Sequence, residues 1–422
     1  MARTMKDSGV AWIGEIPEGW ELIRGKFLFR ERNERGNTRT LQLLSPTQNY
    51  GVIPQAMYEQ LSGMKAVKLD ESIDYSALKS IYDGDFCISL RSFQGGFEYS
   101  GYNGVVSPAY HVFFATRSLC NDYYRYLFKD RSFVDKMASL TKTFRDGKSI
   151  SFSDFANSLI PLPPLPEQSR IAAFLDRRCA EIDRVITATQ STIEEYKKLK
   201  QSIITEAVTH GVRGPRKMKD SGVEWIGDIP EEWSVVRHKY VMHKVKEICE
   251  HYSGEDIISL SMYGVRIRDL DAGGKMPTTF DGYQYVEPED MLLCLFDIDV
   301  TPRCVGVVKN YGVTSPAYSR FVVHKGYLNR YYDYLLRFID DEKIFVHLAK
   351  NLRSSLTETD FGVIKTIAPA LDEQIEIADY LDGRCAEIER LIESKQRLLT
   401  ELESYKKSVI YEYVTGKKEA QQ

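Results

Sequence analysis

Three stretches of this chain occur twice in the same order, and that duplication limits its possible folds more than any other feature. MKDSGVAWIGEIPEGWELIRGKF begins at Met5, and MKDSGVEWIGDIPEEWSVVRHKY begins at Met218, 213 positions on. Trp12/Trp225, Ile13/Ile226, Gly14/Gly227, Pro17/Pro230 and Trp20/Trp233 are among the identities. SPAY stands at Ser107–Tyr110 and again at Ser315–Tyr318, 208 positions apart. EQSRIAAFLDRRCAEIDRVI from Glu167 matches EQIEIADYLDGRCAEIERLI from Glu373, 206 positions apart. The falling offset makes the second copy slightly shorter between landmarks, as surface-loop deletions would. Such a period is far too long for a solenoid repeat, so the chain holds two whole domain-plus-helix units. Between the landmarks the copies diverge, as LRSFQGGFEYSGYNG and LFDIDVTPRCVGVVKNYG show. Two similar frames hold two different surfaces.

Each copy opens with Gly/Pro-punctuated text and short β-like runs: DFCISL near Asp85, AYHVFFA near Ala109, MLLCLF near Met291 and AYSRFVVH near Ala317. Segments with aromatics at helical spacing follow, NDYYRYLFKD from Asn121 and LNRYYDYLLRFI from Leu328. The globular parts are therefore predicted to be mixed α and β, an α+β class. Each copy ends in a long amphipathic run. Pro166 suits a first helical turn, Asp372 suits an N-cap, and Gly211 and Gly416 suit the helix ends. About 44 residues lie between these marks, roughly 65 Å of helix. Ile171, Leu175, Ile182, Ile186, Ile193, Tyr196 and Ile203 recur at steps of three, four or seven. Ile377, Leu381, Ile388, Ile392, Leu399, Leu402 and Val409 do the same. Each seam can bury the other, which predicts an antiparallel coiled coil within the chain, interrupted by Thr189 and Lys395. The expected division is a domain over 1–165, a helix over 166–211, a second domain over 212–371, a second helix over 372–416 and a tail over 417–422. GVRGPRK, from Gly211, is the linker into the second copy.

Hydrophobic residues at 43% and charged residues at 27% allow real cores and exclude a disordered chain. MARTMKDSGV has no apolar secretory core, and no run of about 18 apolar residues follows. A soluble, cytoplasmic protein is expected. Cys87, Cys120, Cys179, Cys249, Cys294, Cys304 and Cys385 show no paired CxxC spacing, which predicts free thiols rather than a disulfide framework or zinc site. The net charge of −4 does not announce a nucleic-acid binder, yet binding depends on where the basic groups lie.

A search for catalytic chemistry points away from an enzyme. Methylation of an adenine amino group needs a glycine-rich cofactor loop and a [DNS]PP[YFW] tetrad gripping a flipped base. SPAY lacks the second proline, occurs twice, and follows no such loop; a turn leading into a strand suits it better. No GxxxxGK[ST] phosphate loop and no GxSxG elbow occurs, and the histidines show no metal spacing. The reading is a binding module without a metal.

Two divergent mixed domains, each trailed by a repeated long helix, resemble the specificity subunits of type I restriction–modification systems. The resemblance covers essentially the whole chain. It rests on the SGVxWIGxIPExW openings, the SPAY turns, FSDF at Phe152–Phe155, TDF at Thr359–Phe361, and LPPLPEQ followed by a long amphipathic helix. The second copy departs from it, with Ala368, Ala370 and Asp372 at the positions of Leu162, Pro164 and Pro166. The resemblance implies two target-recognition domains, each reading half of a bipartite double-stranded DNA site. It implies helices that fix the spacing, at about 34 Å for half-sites one helical turn apart. It further implies two methyltransferase subunits and two motor–nuclease subunits as partners, no membrane, and no cofactor in this chain. S-adenosylmethionine, ATP and Mg would be carried by the partners.

Within the first copy the candidate DNA-contacting residues are Arg91 and Gln94 in RSFQGG, because Arg pairs with guanine and Gln with adenine through two hydrogen bonds. Lys142, Arg145 and Lys148 in TKTFRDGKS form a basic, glycine-containing segment, and Tyr50 marks a further loop. In the second copy the expected counterparts by position are Arg303 in TPRCVG and Lys350 and Arg353 in AKNLRSS, while Arg266 and Arg268 in YGVRIRD form another basic pair, in the loop that matches the one marked by Tyr50. The competing readings are a methyltransferase or nuclease with an unrecognised site, and a purely structural scaffold. Surfaces that differ while frames match argue against the scaffold.

Overall fold

A computed structural model describes residues 3–35, 41–64, 75–140, 150–262, 264–270, 277–301, 303–349 and 354–420. The chain folds into two compact units: 1–190 with 397–422, and 191–396. Each unit combines one mixed domain with the first part of one long helix and the last part of the other.

In unit 1 a four-stranded antiparallel sheet runs in the order Phe29–Arg32, His111–Ala115, Phe86–Ile88, Glu98–Tyr99. Unit 2 repeats the order with Met242–Val245, Ser319–Val323, Met291–Leu293 and Val305–Val307. One buried ion pair survives in both, with its arginine exchanged between neighbouring strands. Arg32 holds Asp85 at 2.8 Å, and Arg320, on the adjoining strand, holds Asp290 at 2.6 Å. Against each sheet pack the helices expected from the aromatic spacing, Asn121–Leu127 and Asn329–Asp341. Unit 1 fills its core with rings, Phe29 meeting Phe113 and Phe128 edge-on at 5.5 Å. Unit 2 uses more aliphatic side chains around Tyr331, Tyr332 and Phe361. All seven cysteines are free, as expected.

The long helices run Leu165–His210 and Leu371–Val414. Asp372 is thus the second helical residue and not the N-cap. The preceding carbonyls, of Pro164 and Ala370, accept the first helical bonds instead, from Gln168 and Gln374. A carboxylate in the first turn still favours the helix dipole, and Arg213 pairs with it at 2.7 Å. The Glu-Gln pair of each helix start is structural. Gln168 accepts from the Cys120 N–H and donates to Pro163 O, while Gln374 does the same with Leu328 and Pro369. Glu167 accepts from the Trp20 indole at 2.9 Å and pairs with Arg3; Glu373 accepts from Trp233 at 2.8 Å and pairs with Arg216. The tyrosines repeat as well. Tyr123 donates to Val414 O and Tyr331 to Val208 O, satisfying carbonyls that a helix end leaves open.

The helices pair antiparallel inside each unit. In unit 1 Phe174 stacks on Tyr413 at 4.3 Å, and Lys406 holds Asp183 at 2.6 Å. In unit 2 Lys200 pairs with Glu389, and Arg213 with Glu376. Ile171, Leu175, Ile182, Ile193, Ile377, Leu381, Ile388 and Leu399 are buried, with Ile186 and Ile392 half-buried. Ile171, Leu175, Ile377 and Leu381 do double duty, since they also belong to the domain cores. Ala207 stands in unit 2 where unit 1 has Tyr413, and a cleft of about 320 Å³ beside Tyr380 results. Among the described residues no helix is long and apolar enough to cross a membrane.

One difference between the copies is expected to make unit 2 acid-sensitive. Gly25 of unit 1 sits so close to Phe155 O that a Cβ would lie 2.8 Å away, yet unit 2 has His238 at that position. The imidazole is fully buried, donates from Nδ1 to Ile364 O and packs 4.5 Å from Phe361. Burial holds its pKa down to about 4. The unfolded chain, with a histidine near 6.5, binds the proton more readily, so the stability of the neutral ring is complete above that value. It is lost as pH falls toward 4, by roughly 3 kcal/mol. Urea unfolding at pH 7.5 and 4.5 checks this. His238→Phe is expected to lose less stability over that interval than the unaltered chain, and equal losses would refute the assignment.

Candidate nucleic-acid interface

Both Ser-Pro-Ala-Tyr segments form a tight turn leading into a central strand. Tyr110 N–H donates to Ser107 O at 3.2 Å and Tyr318 N–H to Ser315 O at 3.1 Å, with each serine hydroxyl accepting from the alanine N–H. The expected turn is what the structure contains, and the loops gathered around it carry the differences between the copies.

In unit 1 two candidate loops meet. The strands Leu44–Thr47 and Gly51–Pro54 form a hairpin whose turn carries Gln48 and Tyr50. Gly51 is required there, because it has φ 70° and a Cβ would lie 2.6 Å from Tyr99 O. Lys129 fastens the turn by donating to Gln48 O, and it also holds the buried Glu98 carboxylate at 2.6 Å. Burial pushes the pKa of Glu98 up to about 7, and Lys129 opposes the rise. The RSFQGG segment forms the short helix Ser92–Gly95. Its Gly95 backbone packs directly on Gln48, whose amide donates to the Gln94 amide oxygen at 3.4 Å. Arg91 is exposed, and its charge reaches the Tyr110 hydroxyl, whose pKa is raised by burial and drawn back by Arg91. Tyr50, Arg91 and Gln94 are thus brought to one surface beside the turn. Gln48 joins them, although only the paired register of the hairpin reveals it.

Unit 2 builds the same place differently. Its hairpin Ile257–Ser261 and Gly264–Ile267 matches that of unit 1, since Ile257 lies parallel to Val313 as Leu43 does to Val105. Arg266 is exposed on the second strand, and Arg268 reaches toward Tyr318, whose hydroxyl pKa is raised mainly by burial and lowered by that charge. Arg303 is not the positional counterpart of Arg91. Phe86 and Met291 lie opposite Phe113 and Phe321, so the residue in the place of Arg91 is Phe296. Phe296 stacks on Tyr318 at 6.4 Å, where Arg91 approaches Tyr110. Arg303 sits half-buried beside Gly264 and faces Asp333 and Asp341, countering the rise that burial imposes on both carboxyls. Lys142, Arg145, Lys148, Lys350 and Arg353 lie outside the described residues. Among the described residues no cluster of three or more His, Cys, Asp or Glu could hold a metal ion.

The fold is similar to that of known proteins. Residues 17–195 match the family described as the type I restriction modification DNA specificity domain. Over that part, the chain is similar to the specificity subunits of type I restriction–modification systems. It is 24% identical to the type I restriction enzyme MjaVIII specificity subunit of Methanocaldococcus jannaschii, over 95% of this chain and 93% of that protein. It is 26% identical to the putative MjaX specificity subunit of the same organism, over 64% and 61%. A chain from the structure described as the basis of complex assembly and conformational transition of the type I R-M system superposes with a TM-score of 0.68 at 15% identity, covering 94% of this chain and 98% of that one. The HsdS subunit from Thermoanaerobacter tengcongensis gives 0.51 at 16% identity, covering 95% and 98%.

Proposed function

We propose that each mixed domain reads one half of a bipartite DNA site through the loops beside its Ser-Pro-Ala-Tyr turn, while the long helices set the spacing and dock two methyltransferase subunits. Two motor–nuclease subunits complete the restricting assembly. The chain supplies recognition; S-adenosylmethionine, ATP and Mg act on the partner subunits. One observation carries this reading. Around a shared frame, unit 1 presents Gln48, Tyr50, Arg91 and Gln94, whereas unit 2 presents Arg266, Arg268 and Phe296. Base edges in the major groove distinguish all four base pairs, so different half-sites call for different side chains on one scaffold. Contacts to phosphates fix position without reading sequence.

The test is methylome sequencing of a host carrying the chain, then one in which residues 1–165 come from another family member. One half of the methylated site is expected to change and the other to stay. A change in both halves together would overturn the two-reader arrangement. Arg91→Ala sharpens the point. Loss of a two-pronged contact to guanine is expected to cost about 1–3 kcal/mol and relax discrimination at one base pair of the half read by unit 1. A uniform loss across all sequences, with a shallower salt dependence, would make Arg91 a phosphate contact instead.

A further inference from the structure

Both units expose an Arg-x-Lys-aromatic turn at the same place. In unit 1 it comprises Arg24, Lys26 and Phe27; in unit 2 it comprises Arg237, Lys239 and Tyr240, 213 positions on. A single 3-10 turn, Gly25–Phe27 or His238–Tyr240, sets the geometry. Its first residue, Gly25 or His238, points into the core, and the other side chains face water. Phe27 and Tyr240 are each 58% exposed. The Lys26 ammonium lies 5.3 Å from the Phe27 ring centre, and that of Lys239 lies 5.1 Å from Tyr240. Isolated exposed apolar residues are ordinary on protein surfaces. An exposed ring flanked by the same two cations, kept in both copies while the loops beside the Ser-Pro-Ala-Tyr turns diverge, calls for something that both copies meet alike.

The position of the turn says which macromolecule that is. Phe29, next to the turn, pairs with Ala115 at the far end of its strand, whereas Arg32 pairs with Val112 near the Ser-Pro-Ala-Tyr end. Met242 with Val323 and Val245 with Arg320 repeat this in unit 2. The turns therefore lie at the opposite end of each central sheet from the variable loops. They lie instead beside the strand that feeds the long helix. Arg24 pairs with Leu159 and Glu21 with Leu162, just before the helix begins at Leu165. Arg237 pairs with Lys365 and Ser234 with Ala368, just before Leu371. Six residues of chain separate the position opposite each arginine from the helix start, at most about 20 Å when extended, so a partner covering the helix start and the paired strands would reach the turn.

We infer that the two turns dock two copies of one protein, through a face that offers carboxylates around an apolar socket. Arginine and aromatic side chains are the types that anchor protein interfaces, and a cationic rim selects an acidic partner. On the function proposed above, on which this inference rests, that protein is the methyltransferase subunit. Frames that match bind partners that match, and loops that differ read half-sites that differ.

The experiment measures the mass and affinity of the complex between the full chain and the methyltransferase subunit of its own system. Lys26→Glu with Phe27→Ser is expected to leave one methyltransferase bound at concentrations where the unaltered chain holds two. Lys239→Glu with Tyr240→Ser does the same, and all four changes together release both. Affinity at each altered site should fall roughly tenfold or more. Thermal unfolding should be unchanged because the rings are exposed, and the milder Phe27→Tyr and Tyr240→Phe should keep two copies bound. Two copies held at unaltered affinity by the four-fold variant would overturn the inference. So would retained stoichiometry with weakened DNA binding, which makes the turns phosphate contacts, or with loss of the motor–nuclease alone. If the unaltered chain binds no methyltransferase, the proposed function fails first, and the variants are not what decides it.

Discussion

Glu373→Ala is expected to lower the stability of unit 2 by about 1–3 kcal/mol, because it strands the Trp233 indole N–H and leaves the half-buried Arg216 guanidinium with Glu232 as its one paired carboxylate. The Glu373 side chain is only 2% exposed. It pairs with Arg216 and accepts from the Trp233 indole at 2.8 Å. Arg216 in turn donates to His210 O at the end of the first long helix, pairs with Glu232, and lies over the Trp233 ring at 5.3 Å. One carboxylate therefore ties the opening segment of the domain, the linker and the starts and ends of two helix segments into a single cluster. Glu167→Ala removes the twin in unit 1, where the carboxylate is 12% exposed and Arg3 comes from near the chain start. Water reaches that group more easily, so a smaller loss is expected there. Glu373→Gln keeps an acceptor for the indole and should recover part of the loss. Urea unfolding followed by tryptophan fluorescence measures all three. A loss below about 1 kcal/mol for Glu373→Ala would place the cluster among ordinary surface ion pairs.

Much of this was legible in the sequence because the duplication marks what both copies need. The openings, the Ser-Pro-Ala-Tyr turns and the Glu-Gln helix starts recur, and each holds a repeated structural contact. Seam spacing likewise located the buried faces of both long helices, since a period near 3.5 leaves few alternatives. What repetition could not deliver was correspondence inside the divergent loops. Counting along the chain pairs Arg91 with Arg303, but strand register pairs it with Phe296, and register depends on hydrogen bonds between distant segments. Gln48 was missed for the same reason, since only the folded hairpin brings it to Gln94. Asp372 looked like a cap by its type, but the helix begins one residue earlier, at a leucine. The exposed turns carry the opposite lesson. Arg24, Lys26 and Phe27 stood inside the longest repeated stretch, yet repetition alone does not separate a residue kept for packing from one kept for a partner; exposure does.

Ile182→Asp combined with Ile388→Asp should unfold the helix pair and abolish assembly with partner subunits. The two isoleucines occupy equivalent positions, 206 apart, and both are almost fully buried. Ile182 belongs to unit 1, where the first helix meets the last part of the second through the Phe174–Tyr413 stack, the Arg178–Tyr405 hydrogen bond at 3.1 Å and the Lys406–Asp183 pair. Ile388 belongs to unit 2, beside the Lys200–Glu389 pair. An aspartate at either place loses the burial of an aliphatic side chain and places a carboxylate in the buried seam. Each change should therefore cost about 4 kcal/mol or more. Ile182→Val and Ile388→Val, which only trim a methyl group, should cost about 0.5–1.5 kcal/mol apiece and leave assembly intact. Hydrogen exchange separates the possible outcomes. Ile182→Asp should expose amides of the first part of the first helix and the last part of the second, whereas Ile388→Asp should expose the complementary parts. Helical ellipticity and partner binding equal to those of the unaltered chain, in the double aspartate variant, would mean that the seam does not hold these helices together.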